Sequence, residues 1–315
     1  MSLLSRKLQT IKRITSEAIA LRYTPWEFFL MYLNYAVANV TDRNHRLHHR
    51  AFAARVKKSL FRRGLCSFDA GNSCYVFGKV RLPRLAVANE LFGGTYRDTL
   101  RVYVEFGDCY DESVVGELFD LPGENEGPYG LRNAEVDVTV QPGDVVIDAG
   151  SWIGDFAAYA SAKGASAVYA FEPTDETFEY LLRTAALNPN IHPVRAGLGD
   201  AKARAPFFAA PLSGGNSTLA GNAGEERTID ITTIDDFVRE NELSRVDFIK
   251  ADIEGAERQM LRGAAETLRR FAPKLAICTY HLPDDPEVLE RIIKESNPAY
   301  RVVQKRKKLF ASVGA

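Results

Sequence analysis

The stretch DVVIDAGSWIGDFAAYASAKG, residues 144–164, decides the fold. Val145, Val146 and Ile147 form a short, β-branched apolar run, which suits a strand buried on both faces. The run ends at Gly150, and WIGDFAAYASAKG then reads as a helix closed by Gly164. The same alternation continues downstream. SAVYAFEP (166–173) is a second strand and TDETFEYLLRTAALN (174–188) a second helix. Thr174 is its expected N-cap, with Asp175 and Glu176 in a first turn where the helix dipole favours carboxylates. IHPVRAGLGD (191–200) supplies a third strand and turn, and VDFIKADIEG (246–255) a fourth strand. GAERQMLRGAAETLRRF (255–271) follows as one helix, then PKLAICTYH (273–281) as a fifth strand. Strands alternating with helices predict an α/β fold with a mostly parallel, doubly wound sheet. Residues 201–231, Gly- and Asn-rich with apolar alternation, predict a hairpin or lid between the third and fourth strands.

Upstream the pattern changes. Residues 1 to about 60 read as helix, with Thr24 as N-cap, Pro25 at N1 and Glu27 at N3. Two β-like runs follow, CYVFGKVRL (74–82) and LRVYVEF (100–106), and then a Gly-, Pro- and acid-rich connection over 116–133. The expected organisation is a mixed helical and β region over 1–130, for substrate selection or assembly, and a Rossmann-like domain over 131–315. No motif before residue 115 carries nameable chemistry.

Composition narrows the function classes. Forty Lys and Arg against 41 Asp and Glu leave a formal charge of −1, so no global field attracts nucleic acid or an anionic membrane. Basic clusters at His45–Arg50, Arg55–Arg63 and Lys305–Lys308 read as solvated helix faces and an edge hairpin. The richest apolar stretch, Phe28–Val40, is interrupted by Asn34 and too short for a transmembrane segment. The four cysteines lack CxxC spacing, and Met1–Ala20 lacks the apolar core of a signal peptide. A reducing, cytoplasmic setting is therefore expected.

In doubly wound sheets, ligands bind outside the carboxyl ends of the strands. Asp148, Gly150, Ser151, Trp152 and Gly154 occupy the first such handover, where Gly150 permits a sharp turn and close backbone approach. Glu172 ends the second strand about 20 residues on, where a carboxylate can accept hydrogen bonds from ribose hydroxyls. Trp152 breaks a GxGxxG pattern, which disfavours a dinucleotide pyrophosphate but leaves room for S-adenosylmethionine, which carries no phosphate. Asp200, after the third strand, is placed to accept the adenine amino group or to serve as a turn residue.

The segments VVIDAGSWIGDFAAYAS, VYAFEPTDETFEYL, ITTIDDFV, VDFIKADIEGAE and LAICTYHLPDD stand in the order seen in FkbM-type methyltransferases. The resemblance covers about Val136 to Val303, and DIEGAE after VDFIK is its most distinctive part. It implies a Rossmann-like class I methyltransferase fold and S-adenosylmethionine as cofactor. It also implies a small-molecule acceptor, a sugar or another polyhydroxylated metabolite. The family's first loop usually reads GANIG, and GSWIG departs from it at Trp152. Ser217, within GGNSTL, resembles a family segment near the carboxylate of the donor, or is a plain polar turn.

Methyl transfer from a sulfonium chiefly requires positioning, with a general base beside a hydroxyl acceptor. His281, at the end of the fifth strand, is the candidate base. Asp252 is assigned to hold the acceptor or the donor's amine, with Glu254 capping or supporting the next helix. Lys250 is placed to touch the acceptor or to form a structural ion pair. Asp235 and Asp236 read as a cap for their own helix, and no metal site is expected, because HxH, HExxH and cysteine clusters are lacking. The competing readings are a nucleotide-dependent oxidoreductase and a non-catalytic S-adenosylmethionine-binding module. Homo-oligomerisation stays open.

Overall fold

The computed structural model describes residues 66–84, 103, 129–209, 225–305 and 307–314. The expected N-terminal helices, the basic clusters up to Arg63 and the Ser217 segment lie outside them. Three strands, β1 (Cys66–Asp69), β2 (Cys74–Phe77) and β3 (Val80–Pro83), form an antiparallel meander, and β4 (Leu131–Arg132) pairs with β5 (Asp137–Val138). Then come β6 (Val145–Ala149), α1 (Asp155–Ala162), β7 (Ala167–Phe171), α2 (Asp175–Leu187), β8 (Ile191–Val194) and β9 (Gly197–Leu198). A hairpin of β10 (Ala203–Ala209) and β11 (Glu225–Thr232) leads to α3 (Ile234–Glu240) and β12 (Phe248–Ala251). The chain ends through α4 (Glu257–Arg262), α5 (Ala265–Phe271), β13 (Lys274–Cys278), α6 (Asp285–Ser296), β14 (Arg301–Lys305) and β15 (Lys308–Ser312).

Seven strands make the main sheet, in the order β14-β15-β13-β12-β6-β7-β8. The pairs from β13 to β8 are parallel, while β15 runs antiparallel to both its neighbours. Side chains alternate across the pleat, so each strand feeds two cores. Val146, Val168, Phe248 and Ala276 pack with Phe156 of α1, Leu181 of α2, and Leu82 and Tyr75 of the meander. Ile147, Ile249, Leu275 and Ile277 pack on the other face against Phe237 of α3, Met260 of α4, Leu268 of α5 and Leu289 of α6. Covering both faces explains why the strands read as continuous apolar runs. Among the described residues no helix is long and apolar enough to cross a membrane.

Several local expectations need revision. Residues 255–271 form two helices, not one, with the break at Gly263. A Cβ there would stand 2.0 Å from the carbonyl oxygen of Gly199, so the helical rod must step aside where it meets the β9 turn. The sheet also extends past the fifth strand, through the β14–β15 hairpin, in which Lys305 pairs with Lys308. Asp235 does not cap its own helix. Thr233 does, accepting from the Asp236 amide, while Asp235 accepts from the amides of Glu266 and Thr267 and the Thr267 hydroxyl at the start of α5. Tyr103, from the run read as a strand, has helical backbone and buries its ring while its hydroxyl donates to the Pro83 carbonyl. Cys66, Cys74 and Cys278 are free thiols.

Candidate active site

Register brings the candidate residues to one edge of the sheet. Ala149 of β6 lies opposite Phe171 of β7 and Ala251 of β12. The residues that follow, Gly150, Glu172 and Asp252, therefore emerge side by side at the carboxyl ends. This is also where the sheet order reverses about β6, with α1 and α2 on one face and α4 on the other.

The β6–α1 turn is held tightly. The amides of Gly150 and Ser151 donate to the Phe171 carbonyl, and the Ser151 hydroxyl donates to the Asp148 carbonyl. Gly150 has φ +75°, and a Cβ at that position would lie 2.0 Å from the Asp252 carbonyl oxygen. Glycine is thus required twice, for its dihedral and for the contact. Trp152 also adopts a positive φ, +51°, uncommon for a bulky side chain. Its amide donates to Glu172 Oε2 at 3.1 Å, joining the turn to the second strand end. Glu172 Oε1 accepts from the Thr174 amide and hydroxyl. Burial raises the Glu172 pKa, against the pull of its hydrogen bonds to Thr174, Thr177 and Trp152. With one donor on Oε2, that oxygen keeps a lone pair for a ligand hydroxyl.

Beneath the turn lies a buried ion pair. Lys250 and Asp148 are register partners on adjacent strands, and Lys250 Nζ stands 3.0 Å from Asp148 Oδ1. The Asp148 side chain is fully buried and that of Lys250 is 5% exposed. Lys250 also donates to the Gly150 carbonyl at 2.7 Å, so a charge under the turn fixes its backbone.

A second cluster surrounds His281. Its Nε2 lies 3.3 Å from Glu254 Oε2 and 3.6 Å from Asp252 Oδ1, and its Nδ1 lies 3.0 Å from Glu257 Oε1. Burial alone would lower the His281 pKa, but the carboxylates of Glu254 and Glu257 outweigh it and push it up to about 10. Asp252 is oriented by two phenols, with Tyr129 donating to Oδ2 at 3.1 Å and Tyr280 to Oδ1 at 2.9 Å. Burial, with the Asp252 charge, raises the Tyr280 pKa, and burial likewise raises that of the Cys278 thiol next to Tyr129.

Residues 147–302 match the methyltransferase FkbM domain. Methyltransferase sdnD of Sordaria araneosa is 30% identical, over 58% of this chain and 76% of that protein. The chain belongs to the FkbM methyltransferase family. The hexuronic acid methyltransferase AglP of Haloferax volcanii is 28% identical over 221 residues, 70% of this chain and 83% of that protein. The crystal structure of methyltransferase FkbM from Methylobacillus flagellatus shares 23% identity across 54% of this chain and 43% of that one, with a TM-score of 0.42. The FkbM protein described here is a methyltransferase whose cofactor is S-adenosylmethionine, on a Rossmann-like class I sheet. The oxidoreductase alternative falls with that membership.

The cofactor can be set against the residues of this FkbM chain. A Cβ-free turn at Gly150 beside a strand-end carboxylate with spare acceptor capacity suits a nucleoside carrying a ribose diol. Gly150, Ser151, Trp152, Gly154 and Glu172 lie together around that turn. Asp148 and Lys250 lie beneath it, out of reach of solvent. Asp200 sits exposed in the turn after β9. Glu254 faces the imidazole instead of supporting the helix, because φ +55° at Glu254 and +101° at Gly255 fold it back. Glu257 does the supporting, accepting from the amides of Ile253 and Gly255. Sequence reading missed Glu257, Tyr129 and Tyr280. Glu257 was recoverable as the third acid of DIEGAE, whereas Tyr129 comes from a connection with no motif.

Proposed function

We propose that this FkbM methyltransferase transfers a methyl group from S-adenosylmethionine to a hydroxyl oxygen of a sugar or similar polyhydroxylated metabolite. The observation that carries the reading is the Asp252–Glu254–His281 cluster beside the Gly150 turn, so that polar groups suited to a hydroxylated acceptor adjoin the donor position. The relative AglP, named for hexuronic acid methylation, supports the same acceptor class. Glu172 accepts from the ribose hydroxyls, and the turn from Gly150 to Gly154 lies along the donor. Lys250 and Asp148 act as positioning residues that hold the turn. The acceptor oxygen attacks the methyl carbon as the carbon–sulfur bond breaks, and its electron pair stays on sulfur. The acceptor's proton passes to Asp252 or Glu254. His281 was the expected base; with Glu254 and Asp252 facing its Nε2 and Glu257 facing its Nδ1, it instead serves to position these acids. Residues 1–130 remain the proposed substrate-selecting or assembly region.

Calorimetric titration of the full chain with S-adenosylhomocysteine tests the donor side. Binding is expected, and Glu172→Ala should weaken it by about 1.5–3 kcal/mol. Undiminished affinity in a folded Glu172→Ala chain would remove the ribose assignment. Transfer of labelled methyl to a panel of hexuronic acids and neutral hexosides tests the acceptor side. Label appearing on amines alone would overturn the sugar reading.

A further inference from the structure

We infer that Asp252, Glu254 and His281 form a binding site for one divalent transition-series cation, Mn2+ or an ion of similar size, beside the Gly150 turn. The reading of the sequence expected no metal, because ligand spacing was sought within short motifs. The three residues come from two strand ends, and one ligand atom from each lies within 4.8 Å of the others.

Metal–ligand bonds of about 2.0–2.2 Å place neighbouring ligand atoms about 2.8–3.1 Å apart around a six-coordinate ion and about 3.3–3.6 Å apart around a four-coordinate one. His281 Nε2 meets the four-coordinate condition with both Glu254 Oε2, at 3.3 Å, and Asp252 Oδ1, at 3.6 Å. The second of these is too long for a hydrogen bond. Independently of the acids, the His281 side chain is 7% exposed, and neither ring nitrogen makes an aligned hydrogen bond among the described residues. A buried imidazole aimed between two carboxylates without an aligned bond is an incomplete arrangement, and a cation completes it.

The outer contacts are of the kind a ligand set requires. Behind the ring, Glu257 Oε1 lies 3.0 Å from Nδ1 and is itself fixed by two backbone amides, the usual carboxylate partner of a ligating histidine. Tyr129 and Tyr280 orient Asp252 in the same way. One imidazole with two carboxylates suits Mn2+, Fe2+ or Zn2+ better than the all-oxygen Ca2+. The side chains of Asp252 and Glu254 keep 26% and 27% exposure, so the ion's remaining positions face outward, open to water or to acceptor oxygens. A cation there would acidify a coordinated hydroxyl. That role rests on the methyl-transfer reading, whereas cation binding does not.

The test uses the purified full chain, stripped with chelator and titrated with Mn2+ alone, the free ion being followed by electron paramagnetic resonance. Saturable binding of one ion per chain is expected. His281→Ala and the milder Glu254→Gln should each weaken it by more than about tenfold, with circular dichroism confirming that both fold. Glu172→Ala should leave Mn2+ binding unchanged. Absence of saturable binding in the folded wild-type chain would overturn the site, as would full affinity in both variants. Titration of the stripped chain with S-adenosylhomocysteine separates the two readings. Donor binding without Mn2+ binding sinks only the cation site, and the reverse result sinks only the donor assignment.

Discussion

Lys250→Met removes the charge beneath the Gly150 turn while keeping the length of the side chain. Asp148 then stays fully buried, with neither carboxylate oxygen meeting an aligned donor among the described residues and its compensating charge gone. Breaking a buried pair by deleting one partner costs about 3–5 kcal/mol, far more than the pair's net contribution, because the remaining charge is stranded. In urea, with a slope of about 3 kcal/mol per molar, the unfolding midpoint should fall by about 1–1.7 M. Adding Asp148→Asn removes the stranded charge and should recover about 1–3 kcal/mol, a coupling that surface pairs do not show. Both variants also deprive the Gly150 carbonyl of its donor, so affinity for S-adenosylhomocysteine should drop by about tenfold in each. Stability would thus be partly rescued in the double variant and donor affinity would not. A Lys250→Met chain within about 1 kcal/mol of wild type, or a double variant with restored donor binding, would refute the assigned role of the pair.

Gly150→Ala should destabilise the chain by at least about 2 kcal/mol, read by urea unfolding, because the new Cβ meets the Asp252 carbonyl and the turn needs φ +75°. Asp235→Ala should cost about 1–2 kcal/mol through lost capping of α5 and leave S-adenosylhomocysteine affinity unchanged by calorimetry. Glu172 carries opposite signs in two assays. Its folded pKa is raised above the ordinary 4.5, so the folded state holds the proton longer; this stability is present below pH 4.5 and is lost as pH rises through the raised value. Donor affinity, which needs the carboxylate, should instead fall on acidification through that window, and a Glu172→Ala chain should show neither trend.

What was legible in the sequence was whatever depends on local pattern. Short apolar, largely β-branched runs identified β6, β7, β8, β12 and β13, and the carboxyl ends of the first two drew attention to Gly150 and Glu172, which the register sets side by side. The helix expected over 255–271 failed at Gly263 because the break is imposed by the backbone of Gly199, more than sixty residues away, and no helical signal registers such a contact. Asp235 failed similarly. Its position three residues into a capped turn is indistinguishable in sequence from self-capping, yet the amides it satisfies belong to the next helix but one. The cluster around His281 shows the limit most sharply. DIEGAE and TYH were each singled out, but their relation depends on the register of β12 against β13, where Ala251 opposes Ile277 and so carries Asp252 level with Cys278. Two left-handed residues, Glu254 and Gly255, then turn one acid toward the imidazole and leave Glu257 behind it. A three-residue ligand set assembled in this way has no spacing of its own to read, so its recognition had to wait for the fold.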